Sequence, residues 1–100
     1  MTAHLLVMYP QPKDPKAFDR AYREEHLPFA GPRLKGAGAK KVASNRVASG
    51  APYYLISDVE FSSLDALQDC AGSQGAKEAL EHAASISTGG PPVVLAITEM

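Results

Sequence analysis

The chain has 100 residues, of which 45% are hydrophobic and 21% charged, and its formal net charge is −1 at pH 7. These values are typical of one folded domain, so we treat residues 1–100 as a single domain and exclude intrinsic disorder. The charge balance predicts no nucleic-acid partner, because binding to phosphates requires an excess of Lys and Arg. No apolar run reaches the roughly 20 residues of a membrane span, and the N-terminus has no secretion signal. We therefore predict no membrane partner and a cytoplasmic location.

The single cysteine, Cys70, excludes an internal disulfide. Without a Cys/His cluster, the sequence also predicts no metal site. Cys70 is interpreted as a small buried residue, since no basic neighbour in the sequence activates it.

The charges are distributed unevenly along the chain. The first half is basic and the second half is acidic, and most of the basic excess lies in Arg33, Lys35, Lys40, Lys41 and Arg46. The simplest interpretation of this basic segment is a solvated strand and loop. A complementary contact with a second copy of the chain and a weak anion site stay open as alternatives.

Four strands are predicted, the first from a continuous apolar run at residues 3–9. The second, at 40–48, is expected at a sheet edge because its lysines protect an edge. A turn at 49–52 leads to the clearest strand, at 53–61, whose more apolar odd positions are expected to face the helices. The last strand is predicted at 93–98.

Two helical regions are predicted between these strands. Asp14 and Pro15 form a typical helix start, and Pro28 predicts that this helix ends or kinks near His26. Glycines and a proline at 31–38 predict a loop. The second helical region is divided at Gly72 into segments at about 64–71 and 75–86.

The predicted element order is β-α-β-β-α-β, which is typical of a ferredoxin-like α+β fold. Such a chain forms a four-stranded antiparallel sheet with its helices on one face. The opposite face would stay uncovered, although the first and last strands are nearly all apolar. Because monomers rarely expose an apolar face of this size, we predict a homodimer in which two sheets stack.

His26 is the strongest candidate for chemistry, since no nucleotide-binding loop or catalytic motif is present. At a helix end, the free carbonyls would favour its cationic form, and histidine is suited to proton transfer near neutral pH. Tyr22 lies one turn earlier, and Tyr9 ends the first strand. Two tyrosines and a histidine around an apolar cavity can orient and protonate a carbonyl or enol. A purely structural role for each of them stays open.

The other polar candidates receive structural interpretations. His4 and His82 are interpreted as structural or solvated residues. Asp58 and Glu60 share the even face of their strand with Tyr54, and they are interpreted as edge charges in preference to pocket groups.

Residues 14–30, DPKAFDRAYREEHLPFA, resemble the signature segment of the EthD family, which runs roughly D-P-x-x-F-x-x-Y-Y-x-x-x-H-x-P-L-A. Ala21 stands where many members have a first Tyr, and Phe29 where many have Leu. The segments at 7–10, 51–55 and 87–90 are similar to the family's first strand, third-strand opening and closing segment.

The resemblance implies a dimeric α/β barrel of ferredoxin-like subunits. EthD proteins take their name from an ether-degradation gene cluster, and their own reaction is not established. The resemblance assigns His26 and Tyr22 as the shared polar, candidate catalytic residues. Tyr9, Tyr53 and Phe29 become candidates for substrate binding.

Dimeric barrels related to the EthD family include cofactor-free monooxygenases, muconolactone isomerase-like enzymes, polyketide cyclases and haem-handling proteins. The sequence lacks a proximal-His strand motif, so haem is not expected and no cofactor is predicted. The leading hypothesis is a protein that binds a small apolar or aromatic carbonyl compound between helix and sheet. Its acid/base catalysis would be of the isomerase, cyclase or cofactor-free oxygenase type, or it would assist a degradation pathway.

Two alternatives stay open. One is a non-catalytic small-molecule-binding or stress-response dimer, in which His26 is structural. The other is an assembly protein, in which the charge asymmetry directs self-association and salt weakens it.

Overall fold

The computed structural model describes residues 1–50 and 52–100. The elements are β1 (Ala3–Pro10), α1 (Pro15–Ala21), a π-helical segment (Tyr22–His26), α2 (Leu27–Gly36), β2 (Lys41–Arg46), β3 (Tyr53–Phe61), α3 (Leu64–Ala71), α4 (Gln74–Ile86) and β4 (Val93–Thr98). The predicted order and the break between α3 and α4 are confirmed. The turn predicted at 49–52 includes Ala51, which lies outside the described residues.

The strands form one antiparallel sheet in the order β2-β3-β1-β4. The odd residues of β3 from Leu55 to Phe61 face the helices, as predicted, and all of them are buried. A register shift at the start of the strand breaks the alternation there, so that Tyr54 packs on Phe18 of α1. The basic strand β2 lies at one edge and β4 at the other. The arrangement is the α+β ferredoxin-like fold that the sequence predicts.

The helix predicted to end or kink near His26 does not end there. It passes through the π-helical segment, an irregularity at the predicted position, and continues as α2 to Gly36, which corrects the loop predicted at 31–38. At Pro28, the ring would crowd the carbonyl four residues earlier in a regular α-helix. The chain avoids this crowding through the π-helical turn, in which the Leu27 N–H donates to the carbonyl of Tyr22, five residues before it. A π-helical bulge admits the proline without ending the helix. The helix ends just before Gly38, whose φ of 113° turns the chain towards β2.

The helices cover one face of the sheet through two clusters of buried side chains. The first cluster lies under α2, α3 and α4 and includes Leu34, Phe61 and Cys70. Cys70 is buried as predicted, and this burial raises the pKa of its thiol. The second cluster lies under α1 and the π-helical segment and contains Tyr9 and Phe18.

The outer face of the sheet is the one that the helices leave open. Here Leu6 pairs with Leu95, and Met8 pairs with Val93, across β1 and β4. Leu95 is 44% exposed. The uncovered apolar face that the sequence predicts is therefore present in the single chain.

A polar cluster lies at one end of the outer face. The His4 ring nitrogens lie 2.8 Å from an Asp58 oxygen and 3.0 Å from a Glu99 oxygen. These two contacts, with Glu99 the larger influence, raise the pKa of His4. The Asp58 side chain thus lies on the outer face of the sheet and not in the space under the helices.

Candidate functional site

The π-helical segment directs two of its polar side chains towards the sheet. Tyr22 and His26 are its two buried residues, while Arg23, Glu24 and Glu25 between them are exposed. The segment therefore presents a hydroxyl and an imidazole, one turn apart, to the inner faces of β1 and β3. This is the pairing of Tyr22 with His26 that the sequence predicts.

The Tyr22 hydroxyl is held by two serines of the sheet. It lies 2.6 Å from the hydroxyl of Ser44 and 2.6 Å from that of Ser57. Ser44 and Ser57 are directly opposite each other on β2 and β3. The tyrosine hydroxyl is hydrogen-bonded to both serines, and either oxygen can be the donor in each pair, so its position is fixed by a cross-strand pair.

His26 lies between the sheet and α4 and has a partner for each ring nitrogen. Its Nε2 lies 3.3 Å from the hydroxyl of Tyr9 on β1. Its Nδ1 lies 2.9 Å from Nδ1 of His82 on α4, so one of these two nitrogens carries a proton and donates it. Three elements that are distant in sequence thus meet at one imidazole.

The environment of His26 keeps its ring neutral. Burial, and then the neighbouring His82, lower the pKa of His26 to about 4. This corrects the expectation of a cationic His26 at a helix end, because the helix does not end there and the ring is only 6% exposed. Burial also raises the pKa of Tyr9, so its hydroxyl keeps its proton at neutral pH.

The sequence did not predict the roles of Ser44 and Ser57, or that of His82, which was interpreted as structural or solvated. The ring plane of His82 is within 7° of that of His26, with centroids 5.2 Å apart. Phe29 packs on it with a centroid distance of 4.9 Å. The Arg33 guanidinium covers Phe29 at 3.6 Å and pairs with Glu78. The only available signal was that His82 borders the apolar stripe of α4, which does not reveal its partner.

A small cavity lies where the two core clusters meet. Its polar lining consists of Tyr9, Tyr22, His26 and Ser57, and the rest is apolar, including Leu27 of α2. The cavity volume is about 20 Å³, which is roughly the space of one water molecule. In this closed state the cavity can hold a single atom group of a ligand but not a whole ligand.

An open groove of about 280 Å³ adjoins this cavity on the other side of Tyr22 and Leu27. Both side chains line the cavity and the groove, so they form the wall between the two spaces. The polar rim of the groove is completed by Asp19, Arg23, Ser44 and Arg46. Arg46 and Asp19 are paired, with 3.3 Å between nitrogen and oxygen.

The structure brings three of the five predicted site residues together. Tyr9, Tyr22 and His26 line the cavity, whereas Phe29 and Tyr53 do not. Phe29 lies behind His82. Tyr53 begins β3 opposite Pro10 and is partly buried.

The described residues, 1–50 and 52–100, contain no cluster of three or more His, Cys, Asp or Glu side chains placed to hold a metal ion. Within the same residues, no helix has the length and apolar character needed to cross a membrane.

Comparison with solved structures identifies the fold. An ethyl tert-butyl ether D (EthD) family protein from Bacillus halodurans superposes with a TM-score of 0.82 over 100% of both chains, at 22% sequence identity. The fold is that of an EthD protein. An EthD-like protein from Ralstonia eutropha has a TM-score of 0.67 and 24% identity, covering 96% of this chain and 89% of its own. The EthD resemblance drawn from residues 14–30 is thus supported, with the fold as the shared property.

A third solved structure with this fold is described as a dimer. It is a protein of unknown function from Bacteroides fragilis, described as dimeric with a ferredoxin-like fold, with a TM-score of 0.65 and 13% identity. The match covers 96% of this chain and 93% of that one. No protein-family model and no curated protein matches the sequence.

Proposed function

We propose that the protein binds a small apolar or aromatic carbonyl compound in the groove between helix and sheet, with the carbonyl directed into the cavity. The observation that carries this proposal is the cavity lining, in which four polar groups converge within an otherwise apolar wall. Ligand sites in proteins commonly have this composition. The groove approaches the roughly 300 Å³ at the lower end of such sites, and movement of Leu27 would join it to the cavity.

The chemistry that this lining favours is proton transfer to or from a carbonyl or enol. Tyr9 keeps its proton and can donate a hydrogen bond to the ligand oxygen. Tyr22 is a second donor at the wall of the groove when it accepts hydrogen bonds from both Ser44 and Ser57. Both nitrogens of the neutral His26 already have partners, so His26 exchanges protons with a ligand through Tyr9. Reactions of the isomerase, cyclase or cofactor-free oxygenase type require such a step.

Binding can be tested with acetophenone, an aromatic ketone, and with ethylbenzene, which has a similar shape but no carbonyl. Titration followed by ¹H–¹⁵N NMR should shift the signals of Tyr22, His26 and Leu27, and acetophenone should bind more tightly. Tyr9→Phe should remove the preference for the ketone. Equal affinity for both compounds, or shifts elsewhere on the surface, would contradict the proposal.

A non-catalytic dimeric module is the second candidate function. It is favoured by the fact that every buried side-chain polar atom among the described residues has a hydrogen-bond partner, as expected of a structural network. Exchange of the acetophenone methyl protons in D₂O, combined with thermal melting, separates the two. If His26→Gln and Tyr22→Phe lower the exchange rate of protein that is still fully folded, at a temperature well below its Tm, the enzyme is favoured. If they lower Tm and leave the exchange rate of the folded protein unchanged, the module is favoured.

We also propose that a second copy of the chain covers the outer face of the sheet. Sheet-to-sheet packing would bury Leu6, Met8, Leu95 and their neighbours. The Bacteroides fragilis protein, described as dimeric, has the same fold. Leu95→Glu should produce a monomer in sedimentation, whereas Val94→Glu, equally exposed but on the other face of β4, should not. A wild-type monomer at micromolar concentration would overturn this assembly.

A further inference from the structure

We propose that Tyr9, His26 and His82 form a proton relay that connects the cavity with the solvent beyond α4. The inference rests on the proposed function for its purpose, since the relay would supply or remove the proton that a bound carbonyl compound exchanges. Its geometry stands independently of any ligand. Nothing in the sequence pattern assigns a role to His82.

Two consecutive hydrogen bonds build the relay. The Tyr9 hydroxyl lies 3.3 Å from Nε2 of His26, and the two Nδ1 atoms of His26 and His82 lie 2.9 Å apart. The imidazole planes are inclined by only 7°, so the two Nδ1 atoms face each other from nearly parallel rings. Each histidine therefore uses one nitrogen for its neighbour and has a second nitrogen on its far side.

The two ends of the relay lie in different environments. Tyr9 is fully buried and lines the cavity. His82 does not line the cavity and is only partly buried. Its Nδ1 faces His26, and the relay requires its other nitrogen, Nε2, to reach the solvent. His26, between them, is buried, with 6% of its surface exposed.

Proton movement along this chain is balanced and needs no further reactant. In the inward direction, Tyr9 gives its hydroxyl proton to the ligand oxygen and receives the Nε2 proton of His26. His26 then takes the Nδ1 proton of His82, and His82 takes a proton from water at Nε2. One proton enters from solvent and one reaches the ligand, and each imidazole ends as its other neutral tautomer. The outward direction reverses every step.

The neighbours of the relay favour neutral rings that change tautomer over stable cations. The titratable groups in contact with His26 are Tyr9 on β1, Tyr22 on its own helix and His82 on α4. None of them is a carboxylate. Glu78, one turn before His82, is already paired with Arg33 at 3.1 Å. Phe29 packs against His82 and limits its movement.

The test follows exchange of the imidazole N–H protons with water by NMR of protein labelled with ¹⁵N-histidine. His82→Gln can still hydrogen-bond Nδ1 of His26 but cannot pass a proton from one nitrogen to another. We expect exchange of the His26 proton to fall by about 10-fold or more. Glu81→Gln, exposed on the same helix, is the matched control and should leave the rate unchanged. Equal rates in wild type and His82→Gln would overturn the relay.

Chemical rescue provides a second measurement. His82→Ala should slow exchange in the same way, and added imidazole should restore it, since imidazole can occupy the vacated position at the surface. Imidazole should not restore exchange in His82→Gln, where the side chain fills that position. Rescue of both variants, or of neither, would contradict a relay through this position.

Acetophenone binding distinguishes failure of the relay from failure of the proposed function. Because His82 does not line the cavity, His82→Gln should keep the acetophenone Kd while lowering the kcat of methyl-proton exchange, with KM unchanged. Unaltered kcat together with normal binding would reject the relay alone. Absence of binding in the wild type, with imidazole exchange still dependent on His82, would reject the proposed function alone.

Discussion

The hydroxyl of Tyr22 bridges Ser44 and Ser57, with 2.6 Å to each serine oxygen. The bridge ties the π-helical segment to β2 and β3 at the wall between cavity and groove. Ser57 is buried, whereas Ser44 is exposed. Loss of the hydrogen bond to Ser57 therefore leaves a buried hydroxyl without this partner, whereas loss of the bond to Ser44 leaves a hydroxyl that water can reach.

Tyr22→Phe should destabilise the protein by about 1–3 kcal/mol, because it leaves the buried Ser57 hydroxyl without this partner. Ser44→Ala should cost less than about 1 kcal/mol, since Tyr22 retains Ser57 and Ser44 is solvated. Urea unfolding of both variants measures the difference. Equal decreases in the free energy of unfolding would show that the buried hydrogen bond to Ser57 contributes no more than the exposed one to Ser44.

The lowered pKa of His26 predicts a pH-dependent stability. In the unfolded chain the imidazole binds a proton below about pH 6.5, whereas the folded protein resists protonation down to about pH 4. The unfolded state thus binds more protons in this window, so the free energy of unfolding should decrease as the pH falls from 6.5 to 4. His26→Leu should flatten this part of the wild-type profile. Parallel profiles would contradict the assignment.

His4 predicts the opposite dependence at higher pH. Its raised pKa means that the folded state holds the proton more strongly than the unfolded state. The stabilisation is fully present below pH 6.5 and is lost as the pH rises through the raised pKa. Glu99→Gln removes the larger influence and should move this loss to lower pH, which a titration of the His4 ring by NMR would detect. An unchanged midpoint would show that Glu99 does not bind the ring in solution.

Replacement of glycine by alanine should have opposite effects on stability at Gly89 and at Gly31. A Cβ at Gly89 would lie 1.9 Å from the carbonyl oxygen of Gln11, so the backbone would have to move. Gly89→Ala should destabilise by about 1–3 kcal/mol. A Cβ at Gly31, within α2, would meet nothing within 4 Å, so Gly31→Ala should stabilise by about 0.5–1 kcal/mol. Thermal melting compares them. A higher Tm of Gly89→Ala would contradict the close approach to Gln11, and a lower Tm of Gly31→Ala would contradict the open space at Gly31.

The local sequence was sufficient for most of the fold because its signals act over a few residues. The Asp14 side chain accepts a hydrogen bond from the N–H of Ala17, three residues later in the chain. The alternation of apolar and polar residues along β3 predicts which of them face the helices. Pro28 predicted the position of the irregularity near His26, but it left open whether the helix ends there, for the same reason. The rule that proline ends a helix is local, and the π-helical turn that accommodates Pro28 is stabilised by burial of Tyr22 and His26 under the helix.

The sequence by itself determined the element order, the ferredoxin-like fold, and the presence of Tyr22 and His26 on one helix face. Each follows from short-range periodicity and from residue type. Only the tertiary structure decided that His82 meets His26, that Ser44 and Ser57 hold Tyr22, and that Phe29 and Tyr53 lie outside the cavity. These contacts depend on how α4 is placed against the first helix and on strand register, which result from packing between segments far apart in the chain.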